Sequence, residues 1–181
     1  MRKYRKSILT FVAAIYIVAI CGFCLYQVWP TTHLHGQQLA HLSDTKLLKT
    51  VLSQMGADKQ TAPEDLPQHY KTVYVLNTYE KEMKGGGLCL FFINETRKVA
   101  PYVAECLKNA GADAHFALFS DFIEKNSIDV WDLDSFAIKD IEEYALQDAR
   151  YDFASYDDQY FALPSLKDLL IGYIRANIDL F

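Results

Sequence analysis

Glu80, Glu82 and Asp157 are the residues of this chain with the best claim to acid–base chemistry. A carboxylate pair works as general acid and base only beside a nucleophile, a second base or a metal that gives the reaction its direction. The chain supplies no nucleophile–base pair. His33, His35 and His41 fall in a polar segment without a second ligand cluster, and their spacing matches no zinc pattern. Asp129, Asp132 and Asp134 do not make a calcium loop, because the glycine and the distal glutamate are missing. Gly85, Gly86 and Gly87 have the composition of a phosphate loop, but no strand precedes them and no Gly-Lys-Ser/Thr follows. The residues therefore argue for a binding protein rather than an enzyme, with no cofactor and no metal.

Charge says more about partners. The formal net charge is −5, and Arg2, Lys3, Arg5 and Lys6 contribute four positive charges before any acid appears. Residues 31–120 are balanced, nine bases against nine acids, whereas residues 121–181 carry 14 acids and five bases. An acidic third of this kind disfavours direct nucleic-acid binding, which needs clustered Lys and Arg, and favours a basic partner. Glu142, Glu143, Asp148, Asp152, Asp157 and Asp158 are the expected face residues.

Four segments follow from composition. Residues 1–6 form a basic tip. Residues 7–29 are uncharged, and as a helix of roughly 35 Å they exceed the roughly 30 Å hydrocarbon core of a bilayer. That length, with the poor cleavage site at Ala19-Ile20-Cys21, favours a retained single-pass anchor over a signal peptide. Ile20 and Phe23 are too large to precede a lipoprotein cysteine. The basic tip is then expected in the cytoplasm and the domain outside it. Residues 30–62 read as a juxtamembrane segment with one short helix, and residues 63–181 as the main domain.

The patterning is helical throughout. Ser43 or Asp44 is expected to cap a helix bearing Leu47, Leu48, Val51, Leu52 and Met55, with Gly56 ending it. A second helix is expected over 64–84, with Glu80 at the edge of its buried stripe and Gly85 at its left-handed end. Leu88–Ile93 suits either a buried strand or a buried helix, and its helical neighbours favour helix. Pro101 opens the next helix and Gly111 closes it; Asp113 is expected to cap another, with Phe116, Phe119, Phe122 and Ile123 on one face. A helix over 134–146 carries Ile138, Ile141 and Ala145, and the last, from Ser165, holds Leu166, Leu169, Leu170, Tyr173, Ile174 and Ile178 on one face. The expected class is all-α, a bundle of five or six helices preceded by one transmembrane helix. Cys89 and Cys106 fit reduced core residues, or a disulfide if the domain is extracytoplasmic.

The segment Glu82-Met83-x-x-Gly86-Gly87-Leu88-x-x-Phe91-Phe92-x-Asn94 resembles the signature of the DNA-mimic protein family's C-terminal domain. Ala110-Gly111-Ala112, Tyr156-Asp157-x-x-Tyr160-Phe161 and Tyr173-Ile174-x-x-Asn177 resemble further motifs of that family, in the same order. Gly85 and Leu90 depart from the family's Asn and Gln. The resemblance implies a helical acidic domain, with a homodimer as its expected assembly, that offers carboxylates in place of DNA phosphates to a DNA-binding or nuclease-like protein. It also makes Glu82, Gly86, Gly87, Phe91, Phe92 and Asn94 structural motif residues. An accessory envelope protein without a charge-specific partner is the alternative expectation.

Overall fold

A helix that is apolar around most of its circumference must be surrounded, and the longest helix of this protein is of that kind. The computed structural model describes residues 33–55 and 62–181. The basic tip, the expected anchor at 7–29 and the expected helix stop at Gly56 lie outside those residues. Among the described residues there are eight α-helices and no strand, and no helix is long and apolar enough to cross a membrane.

The helices in order are α1 (Gln37–Ala40), α2 (Asp44–Gln54), α3 (Gln68–Ile93), α4 (Ala100–Asn109), α5 (Asp113–Lys125), α6 (Ile141–Arg150), α7 (Phe153–Ala162) and α8 (Leu166–Ala176). Single 3-10 turns at Pro63–Asp65, Glu95–Val99, Asp134–Phe136 and Ile178–Leu180 lie between or after them. The hub is α3, packed against α2, α4, α6, α7 and α8. Its backbone leaves helical geometry at Gly86 and Gly87, so it is two helical arms joined by a corner. Leu88–Ile93 is therefore helical, as expected.

Aromatic rings fill the space around the corner. Tyr79 meets Phe91 edge-on at 5.0 Å, and Phe92 stacks on Phe136 at 4.9 Å and on Phe122 at 5.7 Å. Such pairs contribute about 0.5–1.5 kcal/mol each beyond the area they bury. Phe91 and Phe92 are both fully buried, so truncating either to alanine would cost about 3–5 kcal/mol. Cys89 and Cys106 are free thiols in this core, and burial above all pushes each up to about 12.

Helix ends follow local chemistry. Gly111, with φ of 67°, closes α4: its own N–H reaches the Lys108 carbonyl, and the Ala112 N–H reaches that of Leu107 at 2.9 Å. Ser165 Oγ accepts from the Asp168 N–H at the start of α8. At the opposite end of the domain, Arg175 of α8 pairs with Asp44 and donates to the carbonyls of Ala40 and Leu42, which ties α1 and α2 to α8.

Several expectations need correction. The helix expected over 134–146 is a 3-10 turn, a break, and then α6, because the Asp140 side chain accepts from the N–H groups of Glu142 and Glu143 and restarts the helix. The residue capping α5 is Ala112, while Asp113 stands in its first turn without a capping hydrogen bond. The described residues hold eight α-helices against the five or six expected, since the four-residue α1 and the aromatic-acidic α7 are helical too. The left-handed glycine of the corner is Gly87, with φ of 76°, not Gly85. Glu80 is buried and paired rather than at an edge, as its partners below show.

Candidate functional site

The corner in α3 is built from both sides. Glu82 on the first arm accepts a hydrogen bond from Asn94 Nδ2 at 2.7 Å, so a side-chain bridge spans the kink from one end of the signature segment to the other. The second arm begins at Leu88, the first residue past the non-helical Gly86 and Gly87. Asp157 Oδ1, from α7, accepts the Leu88 N–H at 2.8 Å. A carboxylate on the free N–H of a helical start satisfies the orphan donor and opposes the helix dipole. Gly87 makes this approach possible: a Cβ there would stand 2.0 Å from Asp157 Oδ2. The glycine corner and the Tyr156–Phe161 motif, 69 positions apart, are thus parts of one joint.

Glu80 serves a similar purpose. Its Oε1 accepts the Lys167 N–H at 3.1 Å, near the start of α8, and pairs with Lys84 Nζ at 2.7 Å. All three carboxylates singled out for acid–base chemistry are therefore committed: Glu80 to α8, Glu82 to Asn94, Asp157 to the second arm of α3. Among the described residues no group of three His, Cys, Asp or Glu side chains is arranged to hold a metal.

The expected face residues divide. Glu142, Asp148, Asp152 and Asp158 are exposed on or beside α6 and α7. Glu143 is half-buried, and its Oε2 accepts the Lys139 N–H at 2.7 Å. Asp157 is half-buried and faces inward onto Leu88, so it underpins the face rather than forming it. Burial raises its pKa most, the Leu88 N–H opposes this, and the charges of Asp148 and Asp158 raise it further. Those two exposed carboxylates are thus near enough to repel it, which brings residues of α6 and α7 into one acidic zone. The charge of Asp148 also acts on the Cys89 thiol, adding to the upward shift that burial causes.

Two acids outside the expected set also hold functional positions. Asp121 on α5 accepts from the Tyr156 hydroxyl, which burial and then this hydrogen bond push up to about 12; Asp152 adds to the shift through its charge. Asp121 therefore extends the acidic zone onto α5, and no local pattern announced it. Asp140 is the other, and it was legible: Asp140 followed three positions later by Glu143 has the form of a helix-start signal.

Of the apolar residues carried by the helix expected over 134–146, Ile141 is 81% exposed and Ala145 is exposed as well. Within α6 only Gln147 is buried, with its amide donating to the Ser135 carbonyl. The acidic zone therefore surrounds an apolar one.

Comparison with curated proteins and with solved structures gave no match. The sequence profile of the DMP19-like proteins matches residues 64–177, from the 3-10 turn before α3 to the end of α8, and so takes in the corner, Asp157 and the acidic zone. With well over half of its length matched, this chain belongs to the DMP19-like protein family.

Proposed function

We propose that this protein binds a basic protein through the carboxylates of α6 and α7, presenting them where a nucleic acid would present phosphates. The observation that carries the reading is the exposure of Glu142, Asp148, Asp152 and Asp158 on or beside two neighbouring helices, with Asp157 held beneath them. Its membership of the DMP19-like family, together with the sequence resemblance to DNA mimics, supports the same reading.

Magnitudes are compatible with it. Duplex DNA carries about one charge per 1.7 Å of axis, so roughly 28 Å of duplex bears about 16 charges. Residues 121–158 hold 12 acids and three bases, a lower density of the same sign. The protein acts without catalysis in this reading, since its best-placed carboxylates already accept structural hydrogen bonds. The uncharged residues 7–29 support a single-pass anchor with the domain outside the cytoplasm. The partner is then a basic protein met there, with a DNA-binding or nuclease-like surface.

The test is crosslinking capture from membranes by the full chain, at low salt and at about 1 M salt, where screening shortens to roughly 3 Å. The reading requires a captured basic protein that high salt releases. Charge reversal at Glu142, Glu143, Asp148 and Asp158 to lysine must abolish that capture; unchanged capture overturns the proposal. Asp157 is left intact because its loss would disturb the corner itself. A reporter fused after Phe181 that is active only in the cytoplasm would overturn the topology.

A further inference from the structure

A surface helix normally buries its apolar stripe and shows its polar one. In α6 this is inverted. Ile141, Ala145 and Ala149 recur every four residues and therefore share one face, and all three are exposed. Asp148 borders that stripe on one side and Glu142 on the other, with Leu146, 72% exposed, just beyond Glu142. Leu146 also lines a cleft of about 300 Å³ with Ala137, Ile138 and Gln147, and the charged side chains of Lys139, Glu143 and Arg150 line it too. Large apolar side chains left exposed among charged ones, as Ile141 and Leu146 are on either side of Glu142, mark an interaction site.

Charge selects the occupant. Residues 134–152 carry six acids and two bases, Lys139 and Arg150. A second copy would set this acidic rim against its own like, and an anionic membrane surface would be repelled in the same way. A partner that satisfies both stripe and rim carries apolar residues at helical spacing between lysines or arginines.

Resting on the binding role proposed above, we infer that the exposed face of α6 docks a basic amphipathic helix of the partner, with Ile141 and Leu146 as apolar anchors. Recognition then divides between two sets of residues. The carboxylates set the salt dependence and the encounter, and the two apolar side chains set a salt-independent share of the affinity.

The experiment uses the full chain and two synthetic 18-residue peptides of the same lysine and leucine composition. One has leucine at helical spacing, and the other has the order permuted. Affinity is read by fluorescence anisotropy across a salt series. The amphipathic peptide should bind more tightly than the permuted one. Ile141→Ser with Leu146→Ser should weaken it about tenfold at every salt concentration, leaving the salt slope and the permuted peptide unaffected. Glu142→Gln with Asp148→Asn should flatten the salt slope instead. Both anchors are exposed, so circular dichroism and Tm should match the wild type.

If the serine variant binds as well as the wild type, the inference falls while the charge-based proposal stands. If neither peptide binds and the charge variant changes nothing, both fall. Sedimentation in which the serine variant dissolves a dimer would give the face to a second copy. Peptide binding seen only after removal of residues 1–32 would give it to the chain's own N-terminal segment. Either result overturns the inference.

Discussion

The backbone N–H of Leu88 and the side chain of Asp157 meet at 2.8 Å, and through that one hydrogen bond the corner of α3 is fixed to α7. The donor belongs to the first residue past Gly86 and Gly87, where the backbone leaves helical geometry. The acceptor reaches it because Gly87 has no side chain. An element that builds the core and an element that bears the acidic face are therefore positioned by the same contact.

Gly87→Ala should be far more harmful than Gly85→Ala. At Gly87 the new methyl would collide with the Asp157 carboxylate, and φ of 76° is unfavourable for any L side chain. At Gly85 the nearest neighbour is a leucine methyl at 3.6 Å, an ordinary contact. Urea denaturation should show a loss of at least about 2 kcal/mol for Gly87→Ala and about zero or a slight gain for Gly85→Ala. Equal effects would remove the steric account of the corner.

Stability should depend on pH through Asp157. Its carboxyl has a folded pKa raised above the ordinary 3.8, first by burial and then by the charges of Asp148 and Asp158, against the opposing Leu88 N–H. The folded chain therefore holds this proton more firmly than the unfolded chain does. The resulting contribution is fully present below about pH 3.8 and is lost as pH rises through the folded pKa. Asp157→Asn keeps an acceptor for Leu88 and removes the titration. The difference between wild-type and variant urea midpoints, followed from pH 3 to 7 in about half-unit steps, should drift in the variant's favour as pH rises. Parallel curves would show that Asp157 does not titrate differently in the two states.

Glu80 should behave as a structural acceptor rather than a catalytic group. Glu80→Ala leaves the Lys167 N–H and the Lys84 ammonium without their partner and should cost about 1–3 kcal/mol. Glu80→Gln retains an acceptor for Lys167 and should cost visibly less. If alanine and glutamine are equally damaging in thermal melts, the hydrogen bond to α8 is not what keeps a carboxylate in this buried place.

Much of the architecture was written locally. The helical class follows from apolar spacing in α2, α4, α5 and α8, and Gly111 stops α4 through its own backbone conformation. Where local rules competed, side-chain hydrogen bonding outweighed apolar spacing. A continuous pattern suggested one helix over 134–146, but the Asp140 side chain captures two N–H groups and restarts the chain there. The apolar residues of α6 imply a buried stripe by periodicity, yet only Gln147 of that helix is buried, and the core is packed with rings from other elements, Phe92, Phe122 and Phe136 among them.

By itself, then, the sequence determined the helical class, the corner at Gly85–Gly87, the reduced pairless cysteines as one of two options, and the acidic character of the last third. Each depends on neighbours in the chain or on composition. Only the tertiary structure decided which acids are surface and which are supports, because that depends on which donor stands opposite. Asp157 and Asp158 are adjacent in sequence and identical in type; one is turned inward to the Leu88 N–H, and its neighbour is left in solvent. The same holds for Ile141, whose apolar side chain would be core on most helices and here lies on the surface amid acids because α6 has no partner on that side among the described residues.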